Sequence, residues 1–252
     1  MNERQHHRLR ARARAAFVHF VFSALVCALI WLVFSQIWYP APLLVGMGAS
    51  SIYLLLIAVD VIVGPFLTFV VFDTGKKSLK LDLSVIVVMQ IAALAYGMMA
   101  MYAARPAYIA YLGKRFDVIR ANDIDAIDLA KSGSRLPAWG PEWVGTTVAS
   151  DKVERDRILL SAALAGVDYG HYPQYHTPLS LSATEMLRNA KPVSDLRARN
   201  PALNNKISDW MHAYGRSDEN SRYLPLTARS AEYVVVIDAT DATVVGVAPF
   251  PP

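Results

Sequence analysis

The residue in this 252-residue chain that is best placed to do chemistry is Asp60, a carboxylate in the middle of an apolar run. A charged group inside hydrocarbon is costly, so it protonates, faces other protein or finds a partner. Gly64 and Pro65 follow four and five positions later. Because proline lacks an N–H donor, it should leave a carbonyl near Val61 unpaired. The three residues together predict a polar notch in the apolar segment.

This notch has two interpretations that the sequence leaves open. Asp60, Gly64 and Pro65 could form a docking point for another helix or a proton-sensitive switch. They could equally form a contact within the protein's own helices, with Gln90 or His19 as the partner of Asp60. Both are expected of polar residues in membranes, which commonly join helices.

Other patterns with a chemical reading are weak. Asp73–Ser78 resembles a phosphate-binding loop, but Val70 stands where its first glycine would be and no strand precedes it, so we predict no nucleotide site. His171 and His176 lie five residues apart without thiolates or an HExxH pattern, so we predict no metal site. Their neighbours Tyr172 and Tyr175 instead suit a surface that contacts a protein partner.

Nothing in the sequence indicates a catalytic nucleophile. There is no G-x-S-x-G motif, and the single cysteine, Cys27, lies within an apolar run. We therefore predict that the protein is not an enzyme and needs no cofactor.

These residues must be positioned by three long apolar runs, Ala15–Ile37, Ser50–Phe72 and Leu83–Ala103. Each matches the ~20 residues with which an α-helix crosses a bilayer, so we predict three transmembrane helices. The first run is longer than the ~7–15 apolar residues of a signal peptide, and we expect it to be retained. Trp38 and Tyr39, just after it, suit the membrane interface.

The charges of the first hundred residues are placed asymmetrically. Basic residues precede the first run and occupy the second loop, at Arg4, Arg8, Arg10, Arg12, Arg14, Lys76, Lys77 and Lys80. Because positive loops stay in the cytoplasm, residues 1–14 should form a cytoplasmic tail and residues 15–104 a membrane domain. Residues 105–252 would then lie on the far side. That part has equal numbers of acidic and basic residues, so the net charge of +4 indicates topology and not nucleic-acid binding.

We predict that the far-side part is a small α+β domain with an antiparallel sheet. Its predicted helices, each with a capping signal, are Asn122–Ala130, Asp151–Ala165, Ser182–Ala190 and Asn200–Tyr214. Its predicted strands are Tyr108–Leu112, Arg115–Ile119, Tyr233–Ile237 and Thr243–Val247, the last two forming a hairpin that Leu224–Thr227 could join. The stretch Gly133–Gly145 is predicted to be a loop.

The membrane half also resembles a known family. Its second run and second loop read VDVIVGPFLT (residues 59–68) and VFDTGKKSLKLDL (residues 71–83), AARPAY follows the third run at residues 103–108, and WYP stands at residues 38–40. These segments are similar to the type IV pilin accessory proteins of the TfpX/TfpZ family. The basic N-terminus and the closing strand–turn–strand are similar too.

The resemblance implies a multi-pass protein of the bacterial inner membrane, with a periplasmic C-terminal domain, that serves type IV pilus biogenesis. It implies an assembly chaperone that binds a cognate major pilin and promotes its surface display, with no catalytic residues. On this reading Asp60, Gly64 and Pro65 would meet the pilin's apolar helix, and Tyr172 and Tyr175 its head. The alternative is a membrane-anchored sensor or envelope protein with a ligand-binding periplasmic domain. The oligomeric state stays open.

Overall fold

The structure, a computed structural model, describes residues 3–252, with side chains from residue 5 onward. The side chain of Arg4, one of the predicted topology determinants, lies outside the described residues. The chain forms two compact units. One contains the residues up to Gln36 together with Ala49–Tyr102, and the other contains Ile37–Gly48 and Ala103–Pro252. The sequence assigned residues 37–48 to the membrane domain, whereas here they fold with the C-terminal part.

The N-terminal hundred residues are mostly helical and apolar. They are α1 (Glu3–Val33), a π-helical turn (Phe34–Trp38), the short α2 (Leu43–Gly46) of the second unit, α3 (Ala49–Ile57), a π-helical segment (Ala58–Val63), α4 (Gly64–Val71) and α5 (Leu79–Ala103). The helix α3 runs through the π segment into α4. Three helical stretches, Gln5–Trp38, Ala49–Val71 and Leu79–Ala103, are long and apolar enough to cross a membrane. The prediction of three membrane helices is confirmed.

The helix α1 starts well before the apolar run that predicted it. It is already helical at Glu3, so the described part of the basic segment up to Arg14 is its first turns. Apart from His6 and His7, this segment consists of alanine, arginine, leucine, glutamine and glutamate, which are all good helix formers. The basic residues are thereby fixed on defined faces of a helix.

The second unit is built on one mixed sheet. Its strands are β1 (Pro106–Tyr111), β2 (Phe116–Arg120), β3 (Glu142–Thr146), β4 (His176–Pro178), β5 (Lys191–Pro192), β6 (Ser221–Thr227), β7 (Glu232–Asp238) and β8 (Val244–Ala248). They are ordered β4-β3-β1-β2-β6-β7-β8, with β5 also paired to β6. The pairs β1–β3 and β2–β6 are parallel and the others antiparallel. The α+β prediction is confirmed, with a sheet larger than predicted.

Helices cover this sheet and complete its core. They are α6 (Ala126–Ser132), α7 (Lys152–Ala165), α8 (Ala183–Asn189), α9 (Val193–Arg199) and α10 (Asn204–Ala213). Leu196 of α9 and Ile207 of α10 share one buried cluster with Tyr223, Val234 and Val236 of the sheet. Every residue of β1 is buried, as expected of a central strand with both faces covered.

Two predicted helices start later than their capping signals suggested. The helix predicted from Asn122 begins at Ala126, and the side chain of Asp125 accepts the N–H of Ile127 at 2.7 Å. Asp125 is the cap because it directly precedes the helical run, whereas Asn122 lies inside a 3₁₀ turn, Ala121–Asp123. Asn200 makes no capping hydrogen bond and is followed by a 3₁₀ turn, Pro201–Leu203, while its Nδ2 donates to the carbonyls of Leu196 and Pro251.

Of the remaining local predictions, some are confirmed and others are wrong. The helix at Ser182 forms, but its serine makes no capping hydrogen bond, because a 3₁₀ turn leads into it and its backbone is not extended. The predicted loop Gly133–Gly145 contains the start of β3, and α9 was missed. The helix capped by Asp151 and ended by Gly166 is confirmed, as is the hairpin of β7 and β8.

Candidate functional site

A polar contact joins two helices at the predicted notch. Asp60 is only 5 % exposed, and Nε2 of Gln90, on α5, donates to its backbone carbonyl at 3.2 Å and to Oδ1 at 3.3 Å. Gln90 is one of the two partners that the sequence proposed. The other, His19 on α1, instead places Nδ1 2.7 Å from the hydroxyl of Thr68 on α4. Polar contacts therefore link α5 to the π segment and α1 to α4.

The π-helical register explains why Gln90 is needed at this point. In this register an N–H bonds the carbonyl five residues earlier, as the N–H of Gly64 does to Val59. Pro65, the next residue, has no N–H for the carbonyl of Asp60. The side chain of Gln90 supplies that donor from a neighbouring helix. The unpaired carbonyl expected near Val61 is therefore displaced by one residue, because the expectation assumed α-helical spacing.

Gly64 makes the approach of Gln90 possible. A Cβ at position 64 would lie 2.1 Å from Nε2 and 2.6 Å from Cδ of Gln90. Such distances are far inside van der Waals contact, so any other residue would push the amide away. Asp60, Gly64, Pro65 and Gln90 thus form one steric and hydrogen-bonded arrangement.

A cavity of about 940 Å³ lies beside this arrangement, within the first unit. Its two walls are α1, from His7 to Val26, and α5, from Leu83 to Leu94, and we call it the α1–α5 groove. Asp60 and Gln90 both line it. Among the described residues, Oδ2 of Asp60 and Oε1 of Gln90 are buried without a hydrogen-bond partner. Two unpaired acceptors therefore belong to residues that line a largely apolar groove.

The basic residues of α1 divide into two sets. Arg8 and Arg12 each approach Oδ2 of Asp73 to 3.7 Å, and Nε of Arg12 donates to the carbonyl of Phe72 at 2.7 Å. Arg10 and Arg14 line the groove instead. Residues four apart share a helix face, which is why the alternate arginines separate in this way.

Ion pairs within the second loop and with α1 hold that loop. The backbone N–H of Gly75, together with Arg8 and Arg12, keeps the pKa of Asp73 below its usual value. Lys76 pairs with Asp82 at 2.6 Å, whereas Lys77 and Lys80 are exposed. The N-terminal segment and the second loop thus meet through ion pairs.

The predicted tyrosine pair lies in the second unit, mostly inside it. Tyr172 is 5 % exposed, and Cζ of Arg157 stands 5.2 Å from its ring centroid. Tyr175 is half-buried and packs edge-to-face on Tyr169, with centroids 5.4 Å apart. A partner would therefore meet the outer edge of Tyr175 and very little of Tyr172.

The sequence interpretation missed an exposed apolar surface on α7. Val153, Leu160 and Leu164 are exposed on this helix, Leu164 by 79 %, while Ile158 is fully buried. Exposed apolar residues grouped on one element are typical of interaction surfaces. The signal was present, because apolar residues cover more of the second half of α7 than a single core-facing stripe requires.

The two histidines of the tyrosine-rich segment bond the backbone. Nε2 of His176 lies 2.9 Å from the carbonyl of Gly170, and burial lowers the pKa of this imidazole. The N–H of Asp168 donates to Nδ1 of His171 at 3.2 Å. Within residues 3–252, no three His, Cys, Asp or Glu side chains are grouped as metal ligands.

The fold and this site define a multi-pass membrane protein in which three apolar helices accompany an α+β domain. Comparison with known proteins gives its relatives. The family model described as "Fimbrial assembly protein FimB" matches residues 7–48. The chain is 27 % identical over 233 residues to the serogroup I fimbrial assembly protein of Dichelobacter nodosus, covering 90 % of both chains.

Two further relatives come from the same organism. The serogroup E1 fimbrial assembly protein is 26 % identical over 234 residues, covering 90 % of each chain. The protein of serogroups C1 and C2 is 32 % identical over 114 residues, which are 44 % of this chain and 87 % of that relative. The chain belongs to the fimbrial assembly protein (FimB) family. No solved structure matched it.

Proposed function

We propose that the protein is an assembly chaperone of the type IV pilus, which binds a cognate major pilin in the membrane and promotes its surface display. The relatives that span nearly the whole chain are named fimbrial assembly proteins. The resemblance of residues 59–83 and 103–108 to the TfpX/TfpZ accessory proteins supports the same role. A pilin awaiting assembly has an apolar helix in the membrane and a head outside it, so a chaperone needs a surface for each.

The α1–α5 groove is the observation that carries this proposal. Its apolar walls suit a membrane-embedded helix, and Asp60, shaped by Gly64 and Pro65, provides a polar contact beside it. Intramembrane carboxylates are costly and are kept where they serve a partner or a pathway. The second unit would meet the pilin head, with Tyr175 and the edge of Tyr172 as part of that surface.

We further propose that the protein lies in the bacterial inner membrane with its N-terminus in the cytoplasm and residues 105–252 in the periplasm. The charge pattern supports this orientation, since the eight basic determinants belong to α1, to the second loop or to the first turn of α5. Chain connectivity supports it too. The first loop, residues 37–48, folds with the C-terminal part, while the second loop pairs with α1.

Substitution of Asp60 tests the proposed role. Asp60→Asn and Asp60→Leu should both reduce co-purification of the major pilin with the full-length protein, and the number of pili per cell, because the carboxylate is lost from the groove. Immunoblots of membranes should show normal amounts of the variant. Ile62→Leu, on an exposed position of the same helical segment, is the matched control.

Unchanged piliation and unchanged pilin capture in both Asp60 variants would remove Asp60 from the site. Normal piliation in cells that lack the protein altogether would contradict the proposed function itself.

A further inference from the structure

The α1–α5 groove contains evidence about what it binds. We propose that it receives an apolar transmembrane helix of the pilin that presents a hydrogen-bond donor side chain at the depth of Asp60. This inference rests on the proposed function and adds the chemistry of the partner at that site. Four observations carry it.

The first observation is the length of the groove. Its α1 wall runs from His7 to Val26, and the apolar part of that wall, from Ala15 to Val26, is about 17 Å of helix at ~1.5 Å per residue. The α5 wall, from Leu83 to Leu94, is also about 17 Å, so the apolar part covers about half of the ~30 Å hydrocarbon layer. An occupant that fills the whole groove therefore has several apolar helical turns and continues past Arg14 and Arg10, as one membrane-spanning helix would.

The second observation is the uncovered state of α5. Within this helix only Gly97 and Met101 are buried, and both lie beyond the stretch that lines the groove. Membrane helices associate through packing and interhelical hydrogen bonds, and α5 has most of its surface free for both. A fourth helix beside α1 and α5 would complete a bundle.

The third observation is the pair of unpaired acceptors. Oδ2 of Asp60 and Oε1 of Gln90 are both buried, both belong to residues lining the groove, and neither has a partner among the described residues. Hydrocarbon offers no donor, so acyl chains would leave both acceptors unsatisfied at a high cost. A helix satisfies its own backbone and can present a hydroxyl, amide or amine at this depth.

The fourth observation is the charge at one end. Arg10 and Arg14 line the groove there, while Arg8 and Arg12 are occupied by Asp73 and the carbonyl of Phe72. The cationic end complements an acidic residue close to the same end of the incoming helix. The partner is thus an apolar helix with a central donor and an acidic group near its cytoplasmic end.

Photocrosslinking from α5 tests the inference. A photoreactive amino acid replaces Ile91, which lines the groove, or Met89, which does not line it and lies on the other side of α5. The two positions are almost equally exposed, at 61 % and 66 %. In native membranes of piliated cells, position 91 should crosslink to the apolar segment of the major pilin, identified by peptide mapping, and position 89 should not.

The donor is tested by Asp60→Asn in the Ile91 crosslinking background. Asparagine can donate to the unpaired Oε1 of Gln90, which satisfies the bundle but removes the acceptor from the groove. A transmembrane hydrogen bond averages about 0.6 kcal/mol, so crosslinking should fall about threefold or more. If this variant does not accumulate, Asp60→Leu serves instead, since it removes the carboxylate acceptors while Gln90 can still donate to the backbone carbonyl of residue 60, and it should also lower crosslinking.

Several results would overturn the inference. They are crosslinks from position 91 to phospholipid only or to a second copy of this chain, equal pilin crosslinks from position 89, and no effect of either acceptor variant. If the pilin still co-purifies with the full-length protein in those cases, the proposed function stands and only the groove assignment fails. Absence of both crosslinking and co-purification would remove the function as well.

Discussion

At the scale of residues, the arrangement around Asp60 depends on the absence of a single methyl group. Gln90 reaches the carbonyl and Oδ1 of Asp60 only because Gly64 has no Cβ. The substitution Gly64→Ala should therefore displace the amide and leave two acceptors of Asp60 unpaired. We expect a loss of about 1–3 kcal/mol in the free energy of unfolding, measured on the detergent-solubilised protein.

A double-mutant cycle separates this effect from helix propensity. In a Gln90→Ala background the clash is gone, and Gly64→Ala should be neutral or stabilise by up to about 1 kcal/mol, since alanine is the better helix former. Gly75→Ala, which would meet only an ordinary contact at 3.5 Å, is the control. A destabilisation of equal size in both backgrounds would mean that Gln90 is not the reason for the glycine.

The sequence allowed part of this arrangement to be predicted. Asp60 was found because a carboxylate is unusual in an apolar run, and Gln90 was found as a polar residue on another span. The π-helical register was missed, because one extra residue in a helical turn leaves no mark in an apolar sequence. The groove was missed too, since the gap between α1 and α5 depends on how the helices pack.

At the scale of elements, α7 combines a buried residue with an exposed apolar surface. Ile158 is fully buried, whereas Leu164 on the same helix is 79 % exposed. Ile158→Ala should destabilise the protein by about 2–5 kcal/mol, because it leaves a cavity. Leu164→Ala should change the free energy of unfolding by less than about 0.5 kcal/mol. Denaturation of the full-length protein, followed by near-UV circular dichroism, measures both.

Leu160→Ala provides an internal control for that comparison, since Leu160 is also exposed on α7 and this variant should behave like Leu164→Ala. A large loss of stability from either leucine variant would show that this surface is covered in the folded protein.

The helix boundaries of the second unit show where local signals suffice. Asp151 and Gly166 fixed α7 because the cap and the stop are both local, and the structure uses both. The helix start predicted at Asn200 was wrong, and the side-chain amide of this residue instead donates to the carbonyl of Pro251, a residue distant in sequence. The parallel pairings of β1 with β3 and of β2 with β6 were unpredictable for the same reason, since each joins strands across intervening elements.

At the scale of the whole molecule, the proposed topology assigns three exposed positions to two sides of the membrane. Cysteine at Val45, in the first loop, or at Ser194, on α9, should react with a membrane-impermeant maleimide in intact spheroplasts. Cysteine at Ser78, in the second loop, should react only after lysis. The native Cys27 is buried, so it adds little background, and all three replaced residues are exposed.

Equal labelling at Ser78 and Ser194 before lysis would contradict three membrane crossings. Labelling of Ser78 alone would reverse the orientation, and the assignment of the C-terminal part to the periplasm would then be wrong.

Trp38 and Tyr39, in the first loop, were predicted to suit the membrane interface, and this stays a prediction. In the structure Tyr39 is 2 % exposed and Leu43 is also buried, so both side chains pack within the second unit. The carbonyl of Gly46 accepts the N–H of Ser230 at 2.7 Å, and a Cβ at position 46 would lie 2.4 Å from the ring of Tyr233. The sequence did not predict this packing, because the residues in contact lie far apart along the chain.

This packing determines which truncated fragments of the protein can fold. A recombinant fragment that starts at residue 103 would lack the twelve residues of the first loop, Ile37–Gly48, which fold with the second unit. In this fragment the ring of Tyr233 would become more exposed and the N–H of Ser230 would lose its acceptor, and the exposed apolar surface favours aggregation. During biosynthesis the first loop is synthesised before the strands that it packs against. A workable soluble version would have to graft residues 37–48 back on through a short linker.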